Sequence, residues 1–115
     1  MDIVKLKLDK FSNINVMNFP QEVEVGIESK DKDVEVVLYY IDNINDINNF
    51  VNYVNKTNLS KDNRTIMVYK KGRKDVNRDV IITPFKVGEI KGFKMKAPML
   101  CSLSKDYSAF VMMKE

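Results

Sequence analysis

The sequence predicts an α/β fold: a mixed sheet of five or six strands, one main crossover helix and a C-terminal β-hairpin. Three observations predict it. Val34–Ile41 is apolar almost without interruption, Asn43–Leu59 carries apolar residues at helical spacing, and Thr65–Tyr69 is apolar again. A near-continuous apolar run marks a strand buried on both faces. The segment between the two runs has the length a helical crossover between parallel neighbours needs.

The elements follow in order. Ile3–Leu8 alternates apolar and charged residues and suits a short strand or a frayed helix equally. Ile14, Val16, Met17 and Phe19 make a first strand, ended by Pro20, which cannot donate to a ladder. Val23, Val25 and Ile27 alternate with glutamates, the period of a half-exposed strand or extended segment. Ser29–Asp33 is a charged turn before the apolar strand at Val34. Asp42-Asn43 then offers a side-chain oxygen to cap a helix. Ile44, Ile47, Val51 and Val54, with Phe50 beside them, form one apolar stripe along it. Asparagine is a poor helix former, so packing must hold this helix in place. Ser60–Asn63 reads as a turn before the strand Arg64–Tyr69.

Beyond that strand, Lys70–Asp79 is a solvated loop. Val80–Phe85 is apolar but broken by Pro84, and Lys86–Lys91 suits one helical turn. Phe93–Leu103 and Ser108–Met113 form the closing hairpin, with Pro98 marking an edge or bulged position. One domain accounts for all 115 residues.

Composition excludes more than it assigns. There is no histidine, the commonest general acid–base and metal ligand near neutral pH. Ser-His and Cys-His nucleophile pairs are therefore unavailable, and with one cysteine no transition-metal site of ordinary spacing arises. No catalytic residue, metal or cofactor is assigned. Cys101 cannot form an internal disulfide and, within an apolar run, reads as a buried, inert thiol. No apolar run approaches the roughly 20 residues of a membrane helix. Met1–Lys7 interleaves charges with apolar residues, unlike a signal peptide, so a cytoplasmic location and no membrane contact are expected.

Net charge is +3 but unevenly placed. Residues 1–55 carry five Lys against ten Asp or Glu, whereas residues 56–96 carry twelve Lys or Arg against four. The candidate ligand site is the basic loop: Lys70, Lys71, Arg73, Lys74 and Arg78. Cations at the C-terminal end of a parallel strand lie where open sheets bind ligands, and arginine forks suit phosphate. Read structurally, the same loop is a solvated turn that balances the acidic half. The four glycines are scattered, with no glycine-rich phosphate turn after the first strand, so the architecture alone implies no dinucleotide.

Several motifs resemble those of a family of small bacterial proteins with a truncated Rossmann-like core. They are the strand ending Val16-Met17-Asn18-Phe19-Pro20, the unit Val34–Leu59, Tyr69-Lys70-Lys71, Asn77-Arg78-Asp79 and the closing Tyr107-Ser108-Ala109-Phe110-Val111. The family places Pro where Lys70 stands and Trp where Tyr107 stands, and its second helix is interrupted here by Pro84. The resemblance implies a fold and no activity.

Three functions are carried forward. The first is a non-catalytic binding or adaptor domain that pairs with a protein partner or with a second copy, through a sheet face that a single helix leaves uncovered. The second is a protein that binds a phosphate- or nucleotide-containing small molecule on loop 70–78. The third is a nucleic-acid module using Tyr69, Phe85, Phe93 and Tyr107 between the cations, although Phe85 and Phe93 suit the core better.

Overall fold

The computed structural model describes residues 6–115, apart from Glu24, Glu28, Asp31 and the side chains of Ala97, Pro98 and Met99. Its elements are β1 (Ile14–Met17), β2 (Val34–Tyr40), α1 (Asn45–Lys56), β3 (Leu59–Lys70), α2 (Arg78–Lys86), β4 (Phe93–Ser102) and β5 (Tyr107–Lys114). They build one mixed five-stranded sheet in the order β1-β2-β3-β5-β4. β1, β2 and β3 run parallel, and β5 is antiparallel to both β3 and β4. The architecture is α/β, with α1 crossing between the parallel neighbours β2 and β3. β4 therefore runs the same way as β3, and α2 makes a second crossover that leaves room for β5 between them.

Both helices pack on one face. Ile47, Phe50 and Val54 of α1 and Ile81, Ile82 and Phe85 of α2 close over Val37, Tyr39, Met67, Tyr69, Phe110 and Met112. Aromatic rings join the layers: Phe50 meets Tyr39 edge-on at 5.6 Å, and Phe85 meets Phe93 at 5.3 Å. Such pairs add stability beyond their buried area.

The opposite face departs from expectation. Val36, Leu38, Tyr40, Ile66, Val68, Ala109 and Val111 are buried there with no α-helix above them among the described residues. Leu6, Leu8, Phe11, Phe19, Val25, Ile27 and Leu103 cover them with irregular chain. The expected uncovered sheet face is thus absent among the described residues. Among the described residues the exposed large hydrophobics are Ile44, Val87 and Leu100.

Other expectations change locally. Ile44 is not in the stripe of α1: it precedes the helix and is 60% exposed. Asp42 and Asn43 do not cap α1 with their side chains. Instead the Asp46 carboxylate, inside the first turn, accepts from the N–H groups of Asp42 (2.9 Å) and Asn43 (3.1 Å). The break expected at Pro84 is a complete helix, α2, with Pro84 inside its last turn. Asn77 caps it by accepting from the Val80 N–H at 3.0 Å, and buried Ile81, Ile82 and Phe85 offset the proline.

The expected turn at 60–63 belongs to β3, as an irregularity opposite Val34–Val36. Buried Asn63 holds it. Its amide donates to the carbonyls of Ser60 (3.0 Å) and Lys114 (3.1 Å) and accepts from the Lys114 N–H (2.9 Å). The closing hairpin forms as expected, with β4 at the sheet edge and its register shifting between Met95 and Leu100 around Pro98. The glutamates expected to alternate with Val23, Val25 and Ile27 include Glu24 and Glu28, which lie outside the described residues, as does most of the pattern Ile3–Leu8. Cys101 is half-buried against the second core.

Candidate functional site

Parallel strands deliver their C-terminal ends to one edge, and a ligand crevice in an open sheet lies there. Here the ends of β1, β2 and β3 open into a cleft of about 900 Å³. Each exit contributes a different chemistry.

β1 exits through Asn18 and Phe19. Asn18 has φ +65° and donates its side-chain amide to the Tyr40 carbonyl at 2.8 Å, which ties the first exit to the end of β2. Asparagine tolerates this left-handed conformation better than most residues. The turn places Phe19 against Tyr40, ring centroids 5.4 Å apart, and brings Glu22 to the rim.

β2 exits through Tyr40 and Asp42. Tyr40 also meets Tyr107, the first residue of β5, at 6.3 Å, so Phe19, Tyr40 and Tyr107 make one aromatic wall. Burial above all, and then Tyr107 and Asp42, hold the Tyr40 phenol above its ordinary pKa, while Arg73 opposes them. The hydroxyl is therefore neutral throughout the physiological range. Asp42 is exposed, whereas buried Asp46 is committed to the backbone of Asp42 and Asn43 and to the Asn49 amide at 3.3 Å.

β3 exits through Lys70, Lys71, Gly72 and Arg73, and all four line the cleft. Gly72 turns the chain at φ +83°, a conformation that favours glycine. Lys71 donates its ammonium to the Ser102 hydroxyl and to the Ser104 carbonyl (2.7 Å), and its N–H to the Asp106 carbonyl (2.8 Å). It thereby pins the β4–β5 turn to the end of β3. The Arg73 fork faces Asp75, with Nε at 3.0 Å and Nη2 at 2.7 Å, and Nη1 reaches Asp42 at 3.3 Å. The hydrogen bonds it donates to Asp75 hold the Arg73 guanidinium above its ordinary pKa, and the same bonds keep Asp75 below the usual carboxylate range. Lys70 is exposed and makes none of these bonds.

Three of the five sequence-nominated cations therefore converge. The other two do not line the cleft. Lys74 is exposed beyond it, its carbonyl accepting from Asn77 at 3.2 Å. Arg78 opens α2 and pairs with its neighbour Asp79 at 3.5 Å, both side chains solvated. Sequence reasoning passed over Asn18, Phe19, Glu22, Tyr40 and Asp42 as site residues. The signal that finds two of them is positional, since Asn18 and Asp42 stand just past the ends of β1 and β2 as Lys70 stands at the end of β3.

Among the described residues no cluster of three Cys, Asp or Glu is placed to hold a metal ion. No helix there is long and apolar enough to cross a membrane. Comparison with protein-family models, curated proteins and solved structures returned no match.

Proposed function

We propose that this chain is a binding domain for a small molecule bearing a phosphate or similar anionic group, seated in the cleft at the C-terminal edge of the parallel strands. One observation carries the reading. Lys70, Lys71 and Arg73 meet Phe19 and Tyr107 in a single cleft, although Phe19 and Tyr107 lie far apart in the chain. Cations for an anion beside an aromatic wall for an apolar ring are the few convergent polar groups and the apolar lining that small-molecule sites combine. The reading as an adaptor built on an uncovered sheet face loses its motivation, since irregular chain buries that face. Nucleic acid fits less well, because Glu22 and Asp42 stand at the same mouth.

The test is thermal unfolding with inorganic phosphate, phosphorylated small molecules and a short single-stranded oligonucleotide. A ligand at 100 times its dissociation constant adds about 2.7 kcal/mol of stability. Stabilisation by a phosphorylated small molecule that Lys70→Ala abolishes, with the unliganded transition unchanged, supports the reading. No shift with any phosphate overturns it, and a shift by the oligonucleotide alone that collapses with salt replaces it with the nucleic-acid reading.

A further inference from the structure

The groups left uncommitted in the cleft say what kind of anion it takes. Lys71 gives two of its three ammonium hydrogens to Ser102 and Ser104. Arg73 spends its Nε hydrogen and one Nη2 hydrogen on Asp75 and keeps its η edge, where Nη1 is now 3.3 Å from Asp42. Lys70, one hydrogen of Lys71 and the η edge of Arg73 remain, a donor set that one phosphate saturates.

The acids narrow the choice further. Asp46 is satisfied by three donors of its own loop and helix. Asp42 and Glu22 are exposed at the mouth, where a second phosphate would meet like charge. A carboxylate accepts hydroxyl or amine hydrogens instead. Asp42 stands just past the end of β2, the strand between β1 and β3, and so faces both neighbouring exits. The exit of β1 is Asn18-Phe19-Pro20, with no glycine to let backbone approach a pyrophosphate. Phe19, Tyr40 and Tyr107 supply the wall for a flat ring.

We infer that the cleft takes a nucleoside monophosphate: its single phosphate on Lys70 and Nη1 of Arg73, its sugar diol on Asp42, its base against Phe19 and Tyr107. The inference rests on the cleft being the ligand site proposed above. In this arrangement the phosphate displaces Asp42 from Arg73, and the freed carboxylate turns to the diol. One contact inside the empty protein is exchanged for two with the ligand.

Calorimetric titration tests it with adenosine 5′-monophosphate, its 2′,3′-dideoxy analogue, adenosine 5′-triphosphate and inorganic phosphate. The monophosphate should bind at least about tenfold more tightly than the dideoxy analogue, the worth of one hydrogen bond to a charged group. It should also bind more tightly than the triphosphate. Asp42→Asn should bring the monophosphate and its dideoxy analogue to within about threefold of one another, with inorganic phosphate bound no less tightly. Asp42 is exposed, so Asp42→Asn leaves the fold intact, and circular dichroism checks this. Equal affinity for the dideoxy analogue in the unaltered protein, or preference for the triphosphate, overturns the inference. Lys70-dependent binding of inorganic phosphate with no gain from the nucleoside overturns this inference alone. Absence of any phosphate binding overturns the site itself.

Discussion

Arg73 and Asp42, thirty-one positions apart in the chain, meet at 3.3 Å across the mouth of the cleft, while Asp75 grips the other side of the same guanidinium at 2.7 and 3.0 Å. The two contacts differ in kind. The Asp75 pair is two-pronged and local, and the Asp42 contact is a single long bond between the exits of β2 and β3. One holds Arg73 in place, and the other is the one that the proposed ligand would replace.

Arg73→Ala should therefore free Asp75. Hydrogen bonding from Arg73 is the main cause that keeps this carboxyl below the ordinary carboxylate range. A group whose pKa is depressed by folding contributes stability above its unfolded pKa and loses it as pH falls through the folded one. NMR titration of the Asp75 side chain should show its midpoint rise toward the ordinary value in Arg73→Ala. Because both groups are solvated, the thermal transition at neutral pH should move little. An unchanged Asp75 midpoint would dissociate the two side chains.

Alkaline behaviour should trace to Tyr39 and Tyr40. Burial is the leading cause that raises both phenols above their ordinary 10.0. With a pKa raised by folding, the contribution is complete below the unfolded value and is lost as pH rises through the folded value. Stability should fall above pH 10, and Tyr40→Phe should shallow that fall. Denaturant titrations from neutrality upward measure it; an identical alkaline slope in Tyr40→Phe would contradict the assignment.

Asn63→Ala removes three hydrogen bonds from a buried side chain and orphans the Lys114 N–H. The expected loss is about 2–4 kcal/mol, since each bond is worth roughly 1 kcal/mol and a stranded donor costs more. Hydrogen exchange should quicken at Lys114 and along the start of β3, but not at the cleft end of the same strand.

Thr65 is fully buried, and its hydroxyl finds no partner among the described residues. Thr65→Val keeps the shape and removes the unsatisfied group. It should stabilise the protein by about 1 kcal/mol, read as a higher denaturant midpoint with the same slope. Destabilisation would mean that the hydroxyl has a partner after all.

Much of the fold was legible because period and burial agree. Val36–Ile41 is apolar on both faces and is buried on both, and Ile47, Phe50 and Val54 form the buried face of α1 where their spacing puts them. Ile44 misled because a stripe does not say where a helix starts, and here the Asp46 carboxylate sets the entry. Pro84 misled because three buried neighbours outweigh the missing N–H. The cover of Leu6, Phe11, Phe19 and Val25 was illegible, since alternation such as that around Val25 marks a buried side without saying which surface buries it. At the site, Lys70, Lys71 and Arg73 could be read as one loop. Lys74 and Arg78 could not be separated from them, because only the turn at Gly72 and the Asn77 cap send the chain away from the cleft. Asp42 and Phe19 join the cleft through strand order, which no local motif encodes.

The most direct test is a two-dimensional amide NMR titration with adenosine 5′-monophosphate. Perturbations should gather at Asn18–Phe19, Asp42–Asn43, Lys70–Arg73 and Tyr107, three strand exits and the start of β5 responding together with one dissociation constant. Signals that move instead around Lys61 and Lys114 at the opposite edge, or along Arg78–Lys86, would contradict the cleft as the site.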